Sequence, residues 1–262
     1  MYYDNRKHNF ITKLGAMSLA FFERCGLFFI FTFKSFYYLI FSKIYWSLVI
    51  QHIKKVGFYS IPVVGLTALF SGMVLAYQTS SGFADYAGES SVAIILLLST
   101  VREMGPVFTG LMLSGRCSSS FAAEIGTMQI SEQVDAIKVM PISPFVFIVK
   151  PRLLASIIVT PLLVVLADVV GLLGGFLIAW QVLNYNPNIF LETIVYNFEK
   201  FDLMVSVIKG LVFGVIIGIV GTFFGMLPKV GARSVGLATT QAVVTASILV
   251  LCLNYLITNI FY

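Results

Sequence analysis

The stretch Ser91–Leu113, SVAIILLLSTVREMGPVFTGLML, decides the fold. It is apolar throughout except for two adjacent charges, Arg102 and Glu103. A helix carried on to Arg116 rises roughly 39 Å at about 1.5 Å per residue, enough to cross a hydrocarbon core of about 30 Å. The pair then falls near the bilayer centre, where one such charge costs about 2.5–3.5 kcal/mol to insert. Charges kept at that cost mark the place where function is to be sought.

Outward from this stretch, the remaining residues have the same character. Of 262 residues, 58% are hydrophobic and only 11% charged, against about 25% charged in soluble domains. With a mean hydropathy of +0.94, the whole chain is expected to form an all-α integral membrane protein, a single domain over 1–262. No hydrophilic stretch is long enough for a separate soluble domain. Cys25, Cys117 and Cys252 lie far apart, which excludes a disulfide framework or metal site by spacing. The net charge of +5 is spread over loops beside apolar runs, a topology signal rather than a nucleic-acid-binding face. Met1–Ile11 lacks the apolar core and cleavage site of a removed signal peptide.

Five apolar runs are expected to span: Phe58–Gln78, Ser91–Leu113, Leu153–Trp180, Leu203–Leu227 and Leu237–Phe261. Before them, Gly26–Ile50 is apolar but carries Lys34 and Lys43 among many aromatics, a composition suited to the membrane interface. Lys13–Ile50 is therefore expected to form one or two interfacial helices within an N-terminal region 1–57, leaving 58–262 for the five spans. Lys and Arg concentrate before Phe58, between the second and third spans, and between the fourth and fifth. The opposite loops, Thr79–Ser90 and Gln181–Asp202, hold only Lys200 but five acids. By the positive-inside rule the N-terminus is expected to be cytoplasmic and the C-terminus outside. Gly210, Gly214 and Gly218, then Gly221 and Gly225, recur every four residues, as do small residues where helices pack closely in lipid; Gly171, Gly174 and Gly175 read the same way.

Between spans two and three, Ser118–Pro144 reads SSSFAAEIGTMQISEQVDAIKVMPISP. Val134, Ile137 and Met140 follow helical spacing, and Pro141 and Pro144 stop the helix. The segment is expected to be a short amphipathic cytoplasmic helix, either lying on the membrane or docking a partner.

Here the residues resemble a known family. Arg102-Glu103-Met104-Gly105-Pro106-Val107, Gly115-Arg116, Ala122-Ala123-Glu124-Ile125-Gly126-Thr127-Met128, Glu132-Gln133-Val134-Asp135-Ala136, Val139-Met140 and Pro151-Arg152 follow in order. This run is similar to the MlaE/YrbE permease family of lipid-transporting ABC systems. The resemblance implies a homodimeric permease with an N-terminal interfacial helix and five spans in a bacterial inner membrane. It implies that Ala122–Met140 is a coupling helix seated on a separate ABC ATPase, with Glu124, Thr127, Met128, Glu132 and Asp135 as contact residues. It also implies a phospholipid or related lipid as cargo, exchanged with an MCE-domain substrate-binding protein outside the membrane.

The chain has no Gly-x-x-x-x-Gly-Lys-Ser/Thr loop, so ATP must be used by the partner and no cofactor is expected in this chain. His8 and His52 both precede the first span, and neither an H-E-x-x-H helix nor a Gly-x-Ser-x-Gly elbow is present. An enzyme, including a lipid-modifying one, is therefore not expected.

Arg102 and Glu103 point about 100° apart on a helix and each needs another partner. Asp168 and Lys209 are the other charges within spans. Glu103 and Lys209 are expected to line a polar cavity, with Arg102 paired to Asp168 or to a lipid phosphate, whose geometry the guanidinium fork matches. A purely structural ion pair is the competing reading. Pro106 and Pro161 each remove a helical hydrogen bond and could kink their spans into a lateral portal. Tyr86 is expected to act as an interfacial anchor or to contact cargo. The intramembrane charges also fit an ion- or proton-coupled carrier working without an ATPase, although no inverted repeat is evident.

Overall fold

The computed structural model describes residues 10–82, 88–140, 143–227 and 231–262. Expectations resting on Arg6, Lys7, His8, Tyr86, Pro141 and Lys229 lie outside the described residues. Among the described residues the chain is helical without strands. We label the helices α1 (Phe10–Phe41), α2 (Trp46–Val56), α3 (Ile61–Gly82), α4 (Glu89–Ile130), α5 (Gln133–Val139), α6 (Phe145–Gln181), α7 (Pro187–Asn197), α8 (Lys200–Met226) and α9 (Ala232–Phe261).

Each of the five expected spans corresponds to one of the long helices α3, α4, α6, α8 and α9. By length and composition, α1 is a sixth helix able to cross a membrane. Its packing is one-sided. Phe28 and Phe31 meet Phe223 edge-on, Phe31 packs at a tilt and Tyr38 stacks on Phe145, and Lys150 Nζ donates to the carbonyls of Tyr38 and Ser42. These contacts engage the start of α6 and the end of α8, one end of the bundle. Helix α2 follows after a break and buries Val49, His52 and Val56, leaving Lys54 and Lys55 outward.

The core sits where α3, α4, α6 and α8 meet, around Ala68, Leu113, Phe121, Leu163 and Ile217. A second cluster joins α4 and α8 to α9 through Phe213, Val220, Ala246 and Val250. Glycines bring these helices together, because with no apolar driving force between lipid-facing helices, close backbone approach supplies the attraction. A side chain at Gly72 would overlap the Gly171 backbone, and one at Gly214 would press on the backbone of Ser156 and Ile157. Gly210 and Gly218 face the same helix, α6, whereas Gly221 and Gly225 face Ser118 and Ile125 of α4. Pro161 lies inside α6 with Gly210 packed against its ring.

Three sequence expectations are corrected. The helix of the second span does not stop at Arg116: α4 runs 42 residues, from Glu89 to Ile130, about twice the length that crosses a hydrocarbon core. Its polar positions find lateral partners, so the helix has no reason to stop where its apolar run stops. The amphipathic helix is correspondingly shorter, only Gln133–Val139, set off by Glu132 in a left-handed conformation (φ 58°). Val134 packs into a small cluster with Ile125 and Ile148, while Met140 lies past the helix and is exposed. Gln181–Asp202 contains α7 rather than an open loop. Asn186 caps its start by accepting from the Asn188 amide at 3.0 Å, and Phe190 is wholly buried against α3, α4 and α6.

Candidate functional site

Helix α4 departs twice from α geometry, in π turns at Thr100–Met104 and Ser114–Ser118. Such turns are frequent at functional positions. The first carries both Arg102 and Glu103. It precedes Pro106, which has no N–H for the Arg102 carbonyl four residues back. That carbonyl accepts Lys209 Nζ at 2.5 Å. The two other ammonium donors of Lys209 reach Glu103 Oε1 at 3.1 Å and Thr258 Oγ1 at 2.8 Å. Lys209 is fully buried, and its three donors meet three acceptors, which meets the requirement for burying an ammonium group.

Glu103 is equally well held. Asn254 donates to Oε2 at 2.7 Å and Thr258 to Oε1 at 2.7 Å. Its side chain nevertheless keeps 40% of its surface open. The structure thus joins Glu103 to Lys209, with α9 supplying two partners that sequence reasoning did not find. Asn254 and Thr258, four residues apart on one helix face, were the available signal, as polar residues inside an apolar run.

Arg102 pairs with Asp202, not with Asp168. Its Nε lies 2.9 Å from Asp202 Oδ1, and NH2 donates to Oδ2 at 3.1 Å. The guanidinium also lies over the Tyr262 ring, 4.3 Å from its centroid, and the Tyr262 hydroxyl donates to Asp202 Oδ1 at 2.6 Å. Asp202 is in the first turn of α8 and Tyr262 ends the chain. Arg102 therefore sits level with helix ends rather than at mid-depth. Thirteen residues of α4 precede it because α3, α4 and α6 extend past that level to pack around α7. Asp168 is separate: it is 2% exposed and accepts from Ser206 Oγ at 2.7 Å.

The expected coupling residues divide between two elements. Glu124, Thr127 and Met128 belong to the last turns of α4. Glu124 is not presented outward: Arg152 NH2 donates to its Oε2 at 3.0 Å and Lys55 Nζ to its Oε1 at 3.1 Å. This clasp ties α4 to α6 and α2. Thr127 is exposed and Met128 half-buried, whereas Glu132 and Asp135 are exposed at and on α5. Lys138 pairs with Asp135 at 2.7 Å across one turn.

A family model described as Permease MlaE matches residues 49–260. The chain belongs to the MlaE permease family. The permease is 41% identical to a probable ABC transporter permease protein of Rickettsia felis, over 97% of this chain and 98% of that one. It is 32% identical to the chloroplastic protein TRIGALACTOSYLDIACYLGLYCEROL 1 of Arabidopsis thaliana, over 84% of this chain and 63% of the plant protein. It is 29% identical, over 97% and 98%, to the intermembrane phospholipid transport system permease protein MlaE of Haemophilus influenzae. With six helices able to cross a membrane, the permease is a multi-pass membrane protein.

Proposed function

We propose that this permease moves phospholipid, or a closely related lipid, across or out of a bacterial inner membrane, driven by a separate cytoplasmic ABC ATPase. The observation that carries the reading is the family match over 49–260, joined to a relative named for intermembrane phospholipid transport. The half-open Arg102–Glu103 π turn supports the same reading. Arg102 keeps 31% of its side-chain surface, so its fork can exchange a carboxylate for a lipid phosphate of like geometry. Lys209 and Glu103 hold the turn in place and line its polar side.

In this reading the permease is a homodimer with five spans per protomer, α1 and α2 lying along the cytoplasmic interface. The N-terminus is cytoplasmic and the C-terminus periplasmic. Thr127, Glu132 and Asp135 face the ATPase, and an MCE-domain protein receives or delivers lipid outside. The test is co-expression with an ABC ATPase that co-purifies with the permease and reconstitution into liposomes carrying headgroup-labelled lipid on one leaflet. ATP-dependent relocation of the label is expected. Relocation by this chain alone, or driven by an ion gradient without ATP, would overturn the proposal in favour of a secondary carrier.

A further inference from the structure

We infer that Asp168 is a proton-binding site, held as a neutral carboxylic acid between α4, α6 and α8. The carboxyl is 2% exposed. Oδ2 accepts from Ser206 Oγ, but Oδ1 is buried with no hydrogen-bond donor. A Cβ built on Gly105 would overlap Oδ1, so the carboxyl lies directly against the α4 backbone at the π turn. An ionised carboxylate buried in this way would carry a desolvation penalty that a single hydrogen bond from Ser206 does not offset.

Among the described residues no cation forms an ion pair with it. The ionisable side chains around this end of the bundle are Arg102 and Glu103 on α4, Asp202 and Lys209 on α8, and Tyr262 after α9. Helix α3 carries no charged residue, and Lys150 and Arg152 lie at the other end of α6. All three donors of Lys209 are directed to Arg102 O, Glu103 and Thr258. Arg102 is committed to Asp202. Two cations thus face three carboxyls, and two of those carboxyls already hold them. A bound proton on Asp168 makes the cluster electrically neutral and gives Oδ1 a donor of its own.

The experiment is infrared spectroscopy of the purified full-length permease in lipid nanodiscs at neutral pH. A protonated-carboxyl C=O stretch, shifting on transfer to D2O, is expected in the native protein. It should vanish in Asp168→Asn and persist in Glu103→Gln. Ser206→Ala should leave the band but displace it, because its hydrogen bond to Oδ2 is lost. Asp168→Asn should also fold with a thermal midpoint close to the native one, since a neutral amide replaces a neutral acid of the same shape. Native and Asp168→Asn spectra that superimpose would overturn the assignment. So would an Asp168→Asn protein that fails to fold beside a native spectrum without the band. The readout is the proton itself and does not depend on which lipid is carried.

Discussion

Lys209 illustrates how a charge is made tolerable inside a membrane protein. Pro106 leaves the Arg102 carbonyl without its helical donor, and the ammonium group fills the vacancy while also reaching Glu103 and Thr258. Lys209→Met removes all three bonds at a fully buried position. Breaking a buried pair by removing one partner costs about 3–5 kcal/mol, and the half-open Glu103 brings the expectation to the lower end. A lowered thermal midpoint together with at least a tenfold loss of lipid transport is the expected result. Glu103→Gln keeps the shape of the side chain and one accepting oxygen for Lys209 and Thr258 but sets an NH2 against the Asn254 amide, so it should lose transport while costing less stability than Lys209→Met. Full transport in both variants would remove the polar cluster from the lipid pathway. The Glu103–Lys209 pairing could be read from the sequence because the apolar spans contain so few charges. The partner of Arg102 could not. Asp202 reads as an outer-loop acid until α8 is seen to begin at Lys200, and Tyr262 reaches the guanidinium only because α9 returns to that level.

At the scale of helices, the glycine periodicity was legible, but which neighbour each glycine touches was not, since spacing gives a face and not a partner. The contacts divide α8 into a half packed on α6 and a half packed on α4. Gly72→Ala should destabilise by about 1–3 kcal/mol, the usual cost of overpacking, because its Cβ would overlap the Gly171 backbone. Gly65→Ala, on the same helix with open space around it, should be neutral or stabilising by up to about 1 kcal/mol. Thermal unfolding in detergent distinguishes the two. Helix α1 poses a different question, since its composition permits a span while its contacts stay at one end of the bundle. If it lies along the interface, an N-terminal tag and a Lys138→Cys label will be accessible from the same side of sealed vesicles. Accessibility from opposite sides would make α1 a sixth span. The full length of α4 was not legible, since Arg116 and Glu124 read as charges of the segment beyond the second span. Arg116 reaches Ser60 and Glu124 reaches Arg152 and Lys55, pairings across helices that hydropathy does not record.

For the molecule as a whole, the two polar centres lie on one continuous helix, 22 residues from Arg102 to Glu124, or roughly 33 Å at about 1.5 Å per residue. The exposed acids at the far end, Glu132 and Asp135, should matter for association and not for folding. Replacing both with Lys is expected to leave the stability within about 0.5 kcal/mol of native, as for surface changes generally. The same change should strip the ATPase from the purified complex. Retention of the ATPase at native stoichiometry would move the docking surface elsewhere. The family run was legible from residue order alone, whereas the division of its motif between the end of α4 and a separate α5 depended on the left-handed Glu132. The paired π turns have one more consequence. Each absorbs about one residue beyond the helical repeat, so everything downstream is set back by roughly 100° from the phase an unbroken α-helix of this sequence would have. Helix α4 is thus a shaft keyed at two points, and its two working ends stay aligned only while each extra residue is matched by its own π turn. Closing the first key into regular α geometry with Val101 in place would turn Glu124 out of its clasp without touching it, whereas deleting Val101 would remove the key and leave Glu124 where it is.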